Sequence, residues 1–527
     1  MPIFNSFWQA GFEGADFVTR QGHALSMDDI TGHGSRHLED YRALSLFNIA
    51  TVRESVGWRL ADKSGGYDFS AVAAKMVSAK ENGVQICWTI CHYGWPDDID
   101  FFSDEFVTRF ARLCGALAAF LRPWYQEPPV YSPINEISFT AWGIAVGLFP
   151  ASLGQDMDGM QIKRQLVRAA IAGCDAIWAA DPRARMLHCD PIIHLISPDN
   201  DPTVEQETEA LRTAQFQAWD MLAGRLEPEL GGHPRYLDLI GANYYHDNQW
   251  MTGNNQRLAW HLGDGRRRRL HTMLQELYER YHRPILLAET SHVGSGRGAW
   301  INDVASEVAQ AQLAGVELTG ICLYPIIDRP DWENNAVWHH CGLWDIAPDK
   351  ARHLNTVYAH ALKQTQARLE HFQRPSGALT FTGTEESDMK KIYVFSHLRW
   401  DFVFQRPQHL MTRLAQHYHI VFIEEPLYSA DKPELKLSRP APNVTVVQPH
   451  TPSTAPGFHD EQIAFLETLL TELREPDETP VVWFYTPMAL PLLKIFTPAI
   501  VVYDCMDELA AFEKAPRQLL QRESALQ

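Results

Sequence analysis

Short apolar runs alternate with longer amphipathic segments over residues 1–372, and eight such pairs can be counted. The apolar runs have the length of buried parallel strands, and the amphipathic segments have the period of helices with one buried face. The predicted strands are 3–11, 49–54, 84–91, 130–135, 185–190, 239–245, 285–288 and 320–325. The predicted helices include 69–82, 104–121, 161–180, 208–224, 270–281 and 300–314.

Eight strand–helix pairs in one stretch predict an α/β fold, a (β/α)₈ TIM barrel, for residues 1–372. Gly83 and Gly315 stand where two of the helices should end, in the position that favours a left-handed glycine cap. The alternative is a doubly wound open sheet. It is disfavoured because the informative polar residues follow many strands, whereas an open sheet collects them at one switch point.

A second pattern begins after a polar stretch with Pro and Gly at 373–390, which predicts a linker. Strands are predicted at 391–396, 419–424, 444–447, 481–485 and 499–503, and helices at 407–416, at 459–473 and from Glu508. This alternation indicates a Rossmann-like α/β domain over 391–527. The helical pattern continues to Gln527, so this domain is predicted to be incomplete.

Two of the barrel strands deliver a carboxylate at their ends. The fourth predicted strand ends in Asn135-Glu136, and the seventh is followed by Glu289. In a parallel barrel all such ends meet on one face. Cleaving a glycosidic bond needs one carboxylic acid to protonate the leaving oxygen and one carboxylate to attack the anomeric carbon or activate water. The distance between the two groups decides between retention and inversion, and both outcomes stay open here.

Further polar residues stand at other strand ends. Arg53 ends the second strand, where a guanidinium can keep a nucleophilic carboxylate ionised. His92 follows the third strand within an aromatic-rich loop, which favours sugar binding. In the sixth strand, period two puts Asn243 and Tyr245 on one face, so Tyr245 is a candidate to bond the nucleophile. Asn135 is predicted to hydrogen-bond a sugar hydroxyl.

Composition narrows the class of partner. A formal net charge of −19 argues against a nucleic-acid or anionic-membrane binder, and no run of 18 apolar residues predicts a membrane span. Eight scattered cysteines without a CxxC pair argue against a disulfide framework or zinc site. With no secretory signal at the N-terminus, they predict a cytoplasmic protein. No metal or organic cofactor is predicted.

Several motifs together resemble the retaining β-glycosidases of the (β/α)₈ clan A, above all glycoside hydrolase family 1, the β-glucosidases. They are residues 7–14, 51–58, 89–96, 132–137, 241–245, 284–290 and 320–332, so the resemblance spans about 1–360. It implies that Glu136 is the acid/base and Glu289 the nucleophile. It also implies sugar-binding roles for Tyr324, Asp331 and Trp332.

The departures from that family limit what the resemblance implies. Ile137 stands where the family has Pro, Tyr324 where it has Trp, and Asp331 where it has Glu. Specificity for glucose is therefore not implied. The leading hypothesis is a retaining β-glycoside hydrolase acting on a β-linked sugar, with water or a sugar as the acceptor.

Residues 392–407 and 502–509 resemble the N-terminal half of glycosyltransferases built from two Rossmann domains. In that family the sugar nucleotide sits mostly in the other half, and the first turn after Ser396 has no GxGxxG. A sugar-nucleotide-dependent glycosyltransferase with the barrel as an accessory is therefore one alternative function. A non-catalytic carbohydrate-binding barrel is the other. The oligomeric state is not predicted.

Overall fold

The computed structural model describes residues 3–63, 66–149, 158–198, 202–373, 390–401, 406–415, 417–430, 432–475, 478–505 and 517–526. The chain divides into two compact units, Met1–Pro375 and Ser376–Gln527.

Eight parallel strands close the first unit into a barrel, and each pairs with its neighbours in chain order, the first also with the last. They are β1 Trp8–Gly11, β2 Thr51–Ser55, β3 Gln85–Cys91, β4 Val130–Ile134, β5 Arg185–Pro191, β6 Leu239–Asn243, β7 Ile285–Thr290 and β8 Leu318–Leu323. The predicted (β/α)₈ barrel is confirmed, and the open doubly wound sheet was the wrong alternative for this unit.

Helices surround the barrel strands. They are α1 Met27–Thr31, α2 His33–Leu44, α3 Trp58–Ala61, α4 Ser70–Asn82, α5 Asp104–Leu121, α6 Ile137–Ala145, α7 Gly159–Ala180, α8 Pro202–Thr213, α9 Gln217–Leu222, α10 Leu270–Tyr281, α11 Arg297–Leu313 and α12 Thr356–Gln373. Gly83 caps α4 in the left-handed conformation, and Gly315 is left-handed just beyond α11, as the sequence predicts. Four short two-stranded sheets lie in the described loops.

Several predicted elements have other bounds, among them the strand predicted at 3–11, which begins at Trp8, and the strand predicted at 320–325, which ends at Leu323. Hydrogen bonds explain two further differences. The helix predicted at 208–224 is broken at Ala214–Phe216, because the Gln215 side chain accepts the amide of Ile193 and donates to the Arg212 carbonyl. The strand predicted at 239–245 ends at Asn243, because the amide of Tyr245 donates to the Asn248 side chain in a turn and pairs with no neighbouring strand.

Strand β2 is held from outside the barrel. Its consecutive residues Arg53 and Glu54 face opposite ways, as the period of a strand requires. The carboxylate of Glu54 is fully buried and contacts three buried donors: His33 Nε2 at 2.8 Å, the Tyr41 hydroxyl at 2.7 Å and Lys75 Nζ at 2.7 Å. These donors lie on α2 and α4, so the strand that carries Arg53 is bonded to the helices behind it.

The charges in this cluster stabilise one another. Burial opposes the charged imidazole of His33, but Glu54 and Asp40 outweigh it and raise the pKa of His33 to about 9. Burial likewise opposes the charged form of Glu54, but Lys75 and His33 hold the pKa of that carboxyl at about 2. The cluster is therefore a buried network of paired charges.

The second unit holds a seven-stranded sheet. Its strands are β9 Lys391–Ser396, β10 His419–Glu424, β11 Leu427–Tyr428, β12 Glu434–Ala441, β13 Val444–Thr451, β14 Val481–Phe484 and β15 Ile500–Tyr503. The order is β11-β13-β10-β9-β14-β15, all parallel, with β12 antiparallel to β13. Its helices are α13 Arg406–Leu414, α14 Asp460–Leu473 and α15 Arg517–Leu526, with a 3₁₀ helix at Pro487–Ile495. An α/β domain after the barrel is confirmed.

In the second unit one strand was not predicted, and two predictions lie outside the described residues. Strand β12 was not predicted, because it is a mostly exposed edge strand without an apolar run. The start of a helix at Glu508 and nearly all of the predicted linker lie outside the described residues. None of the described helices combines the length and apolar character needed to cross a membrane. Seven of the eight cysteines are buried free thiols, and the exposed Cys505 has its sulfur 3.8 Å from Glu523 Oε1.

Candidate active site

Glu136 lies where β4 turns into α6, in a left-handed backbone conformation with φ 47° and ψ 64°. This region is disfavoured for residues other than glycine and is often found at functional sites. The surroundings hold it in place. The amide of Glu136 donates to the Cys189 carbonyl at 3.0 Å, and Asp190 accepts the amide and hydroxyl of Ser138 in the first turn of α6.

Glu289 lies near the end of β7, with its side chain only 5 % exposed. Its Oε1 accepts from Arg53 Nη1 at 2.9 Å, and its Oε2 accepts from the Tyr245 hydroxyl at 2.8 Å. Both sequence-predicted partners of this carboxylate are thus in hydrogen-bond contact with it. Arg53 thus brings one formal positive charge to this carboxylate, and Tyr245 brings one phenol donor.

Asn135 joins the two halves of the site. Its Oδ1 accepts from Arg53 Nη2 at 3.0 Å, and its Nδ2 lies 3.3 Å from His92 Nε2 and 3.2 Å from the Tyr93 hydroxyl. The side-chain amide is therefore engaged with protein groups. A contact with a sugar hydroxyl remains a prediction.

Glu136 has the opposite electrostatic setting to Glu289. Its Oε1 accepts from Asn243 Nδ2 at 2.9 Å, and its Oε2 accepts from the Tyr93 hydroxyl. Burial, and next the negative charge of Glu289, raise the pKa of Glu136 to about 8, although the two hydrogen bonds oppose that rise. Near neutral pH, Glu136 is a protonated acid that faces an ion-paired carboxylate.

The chain was compared with protein families, curated proteins and solved structures. No family model matches the chain, and no curated protein matches it either. Solved structures do match it. The AHE enzyme from Alicyclobacillus herbarius is 15 % identical, with a TM-score of 0.56 over 69 % of this chain and 99 % of that one. The family 1 β-glucosidase from Thermotoga maritima is 12 % identical, with a TM-score of 0.54 over 69 % and 98 %.

A hyperthermophilic β-glucosidase from Pyrococcus furiosus is also 12 % identical, with a TM-score of 0.55 over 70 % of this chain and 96 % of that one. The barrel is similar in fold to these structures, and at these identities the likeness concerns the fold alone.

Sequence reasoning missed a second carboxyl–guanidinium pair at this mouth, in which burial raises the pKa of Glu13 although Arg329 opposes the rise. Glu13 is buried, its Oε2 lies 3.2 Å from Arg329 Nε, and its Oε1 lies 3.7 Å from His92 Nε2. Burial, followed by Arg53 and Arg329, lowers the pKa of His92 well below its usual value, so this imidazole is neutral. A signal was present, because Glu13 comes just after the apolar run of β1, as Glu136 and Glu289 come after the apolar runs of β4 and β7.

The remaining predicted residues divide into two groups. Trp332 lies in an aromatic cluster, with its ring centre 5.4 Å from Tyr93, and the Arg329 guanidinium lies 4.9 Å over its ring. Tyr324 lies under the guanidinium of Arg53, 5.2 Å from it. Asp331 stands apart. Its side chain is 41 % exposed, and its Oδ1 accepts the next backbone amides in a turn.

The ring of Tyr324 reaches this position because residue 11 is a glycine. A Cβ built on Gly11 would lie 1.9 Å from a ring carbon of Tyr324, so any larger residue would displace the ring. Gly11 pairs with Arg53 across β1 and β2, which brings the ring and the guanidinium to the same level of the barrel. Small residues in the strands thus make room for the large polar groups of the mouth.

Proposed function

We propose that the barrel is a retaining β-glycosidase that acts by double displacement. The observation that carries this proposal is the pair of buried glutamates at the ends of β4 and β7 in opposite electrostatic settings, one protonated and one ion-paired. Glu289 attacks the anomeric carbon while Glu136 gives its proton to the leaving oxygen. Glu136, now ionised, then takes a proton from water or a sugar hydroxyl, which displaces Glu289 and releases the product.

The charges of the site follow this cycle. When Glu289 becomes esterified, its negative charge disappears, and the repulsion that raised the pKa of Glu136 disappears with it. Glu136 therefore stays ionised in the intermediate, where it must act as a base. Donors from Asn243 and Tyr93 stabilise its carboxylate at that stage.

The substrate that we propose is a β-linked glycoside. The aromatic rings of Trp332 and Tyr324 offer faces for the C–H surface of a sugar. The pair of Glu13 and Arg329 offers an acceptor and a donor for hydroxyl groups.

Mechanism-based labelling tests this function. Incubation with 2-deoxy-2-fluoro β-glycosides that carry a dinitrophenyl leaving group should give one covalent fluorosugar adduct, located by mass spectrometry on the peptide that contains Glu289. The fluorine slows both displacements, but the dinitrophenyl leaving group keeps the first one fast, so the ester accumulates. A panel of gluco, galacto, manno and xylo sugars should also report which glycone fits.

The matched control is Glu289→Gln, which should give no adduct. Turnover with inversion, followed by NMR of the released sugar and without any adduct, would replace the retaining mechanism with an inverting one. Saturable binding of the sugars by the native protein without any turnover would favour a carbohydrate-binding barrel.

A second candidate function concerns the second unit, which we propose as a sugar-nucleotide-binding domain of glycosyltransferase type. Its strand order reverses between β9 and β14, and doubly wound sheets bind ligands beyond the carboxyl ends of the strands at such a point. Titration calorimetry of the whole chain with UDP-, GDP- and ADP-glucose should give saturable heat with at least one of them. The Glu289→Gln variant separates this heat from hydrolysis, and no heat with any of the three would remove the candidate.

A further inference from the structure

We propose that Tyr93 is a positioning residue that orients the carboxyl group of Glu136 and sets the pH above which the enzyme loses its acid. This inference rests on the proposed function of Glu136, and it adds a residue that sequence reasoning treated only as an aromatic neighbour of His92.

The backbone of Tyr93 is held in an unusual place. Its φ is 75°, in the left-handed region that a tyrosine rarely adopts. The next residue is Gly94, where a Cβ would lie 1.6 Å from the carbonyl oxygen of Asp16. The amide of Asp16 donates to the His92 carbonyl at 3.1 Å. The turn at 92–94 is thus pressed against the segment after β1, and this contact fixes the point from which the phenol reaches inward.

The ring of Tyr93 is also fixed. It stacks on Phe149 with ring centres 4.6 Å apart and planes 16° apart, and it meets the edges of Phe17 and Trp332. Only 3 % of the residue is exposed. A phenylalanine would keep all of these contacts, so packing alone does not require the hydroxyl group.

The hydroxyl group completes a chain of hydrogen bonds that all run in one direction. Arg53 Nη2 donates to Asn135 Oδ1 at 3.0 Å, Asn135 Nδ2 donates to the Tyr93 hydroxyl at 3.2 Å, and that hydroxyl donates to Glu136 Oε2. Donors aligned in this way polarise one another. Arg53 Nη1 donates directly to Glu289, so one guanidinium reaches both carboxyl groups, one of them through Tyr93.

The groups that face Glu136 determine the sign of the effect. Repulsion from Glu289 on β7, and then from Asp190 on β5, favours the protonated acid, and burial raises the pKa of Asp190 itself to about 7. Asn243 at the end of β6 and Tyr93 beyond β3 donate to the carboxylate and favour its ionised form. Burial, followed by the charge of Glu136, raises the pKa of Tyr93 well above its usual value, so the phenol stays a donor over the working pH range. Loss of this donor therefore raises the pKa of Glu136.

The test is Tyr93→Phe. The alkaline limb of kcat/KM for an aryl β-glycoside should move upward by roughly one pH unit, which corresponds to one hydrogen bond to a charged group. The matched control is Tyr281→Phe, which removes another buried phenol that donates to a carboxylate, Asp220 at 2.9 Å, on helices outside the barrel mouth. It should leave the alkaline limb in place. An unchanged limb in Tyr93→Phe would overturn the proposal.

A second readout does not depend on turnover. The carboxyl band of Glu136, isolated in infrared spectra by subtracting the Glu136→Gln variant, should titrate at higher pH in Tyr93→Phe. If the band shifts but no glycoside is hydrolysed, the proposed function fails and the positioning role stands. If the band does not shift, the positioning role fails whatever the activity. Should Tyr93→Phe not fold, 3-fluorotyrosine at position 93, a stronger donor of similar size, should shift the band to lower pH, and an unmoved band would overturn the proposal.

Discussion

The Glu289→Gly variant is expected to hydrolyse aryl β-glycosides at least ~10⁴-fold more slowly than the native protein, since removal of a nucleophile from a buried, preorganised site costs on this order. Glu136→Ala is expected to lose ~10²- to 10⁴-fold, the usual contribution of a general acid and base. For Glu136→Ala the loss should be smaller in kcat/KM when the leaving group is a dinitrophenolate, because that group departs without protonation. Steady-state kinetics with aryl glycosides of graded leaving-group pKa provide the measurement.

Azide distinguishes the two roles. In Glu289→Gly it should occupy the vacated space and attack from the face of the lost nucleophile, which gives an α-glycosyl azide. In Glu136→Ala it should attack the glycosyl ester from the other face, which gives a β-glycosyl azide. Exchanged stereochemistry would reverse the assignments of nucleophile and acid/base. Near-native hydrolysis by either variant would contradict the proposed mechanism. Glu279→Ala, at an exposed glutamate on α10, is the control and should keep native kinetics.

The second large effect is expected at Glu54, behind the barrel. Glu54→Gln leaves the cations of His33 and Lys75 buried without their shared carboxylate. Breaking a buried charge network in this way costs roughly 3–5 kcal/mol. In a unit of this size that should lower the melting temperature of the barrel by on the order of 5–10 °C in calorimetry.

Arg36→Ala provides the comparison, because its ion pair with Glu39 is largely exposed and such pairs contribute about 0–1 kcal/mol. Equal melting temperatures for Glu54→Gln and the native chain would show that the cluster contributes no net stability.

The charges of His33 and Glu54 should make the free energy of unfolding depend on pH. The pKa of His33 is about 9 in the fold against an ordinary 6.5. Its contribution to the free energy of unfolding is therefore complete below pH 6.5 and is lost as the pH rises through 9. The pKa of Glu54 is about 2 against an ordinary 4.5, so its contribution is present above 4.5 and is lost as the pH falls towards 2. Glu54→Gln should therefore melt with a weaker pH dependence between 7 and 9.5 than the native chain.

The barrel could be predicted from the sequence because its signal is local. Each strand is a short apolar run and each helix has one apolar face. The alternation of strands and helices can therefore be recognised without any knowledge of distant contacts. The polar residues at strand ends could be predicted for the same reason. Glu136, Glu289, Arg53 and Tyr245 come together because parallel strands deliver their carboxyl ends to one face.

What could not be predicted depends on loops. Tyr93 reaches Glu136 only because a left-handed turn and a glycine press the 92–94 segment against Asp16, and no local pattern specifies that approach. Arg329 lies in the loop after β8 and meets Glu13 across the mouth, although 316 positions, counted from 13 to 329, separate them in the chain. Asp331 is placed in the sugar site by a motif position alone; its Oδ1 accepts two amides in a turn, and its contact with a sugar stays a prediction.

Arg53 and Glu54 are neighbours on β2. The strand that places Arg53 at the candidate site is therefore also anchored to the helices behind it through Glu54. The strand pairs with both of its neighbours, and its outer face is bonded to two helices through Glu54. Its amide protons should therefore exchange with solvent only when the entire barrel opens, because no local opening of lower free energy should expose them. Arg53, which contacts Glu289, is thus protected from fraying, and loss of this contact on heating should coincide with loss of the fold.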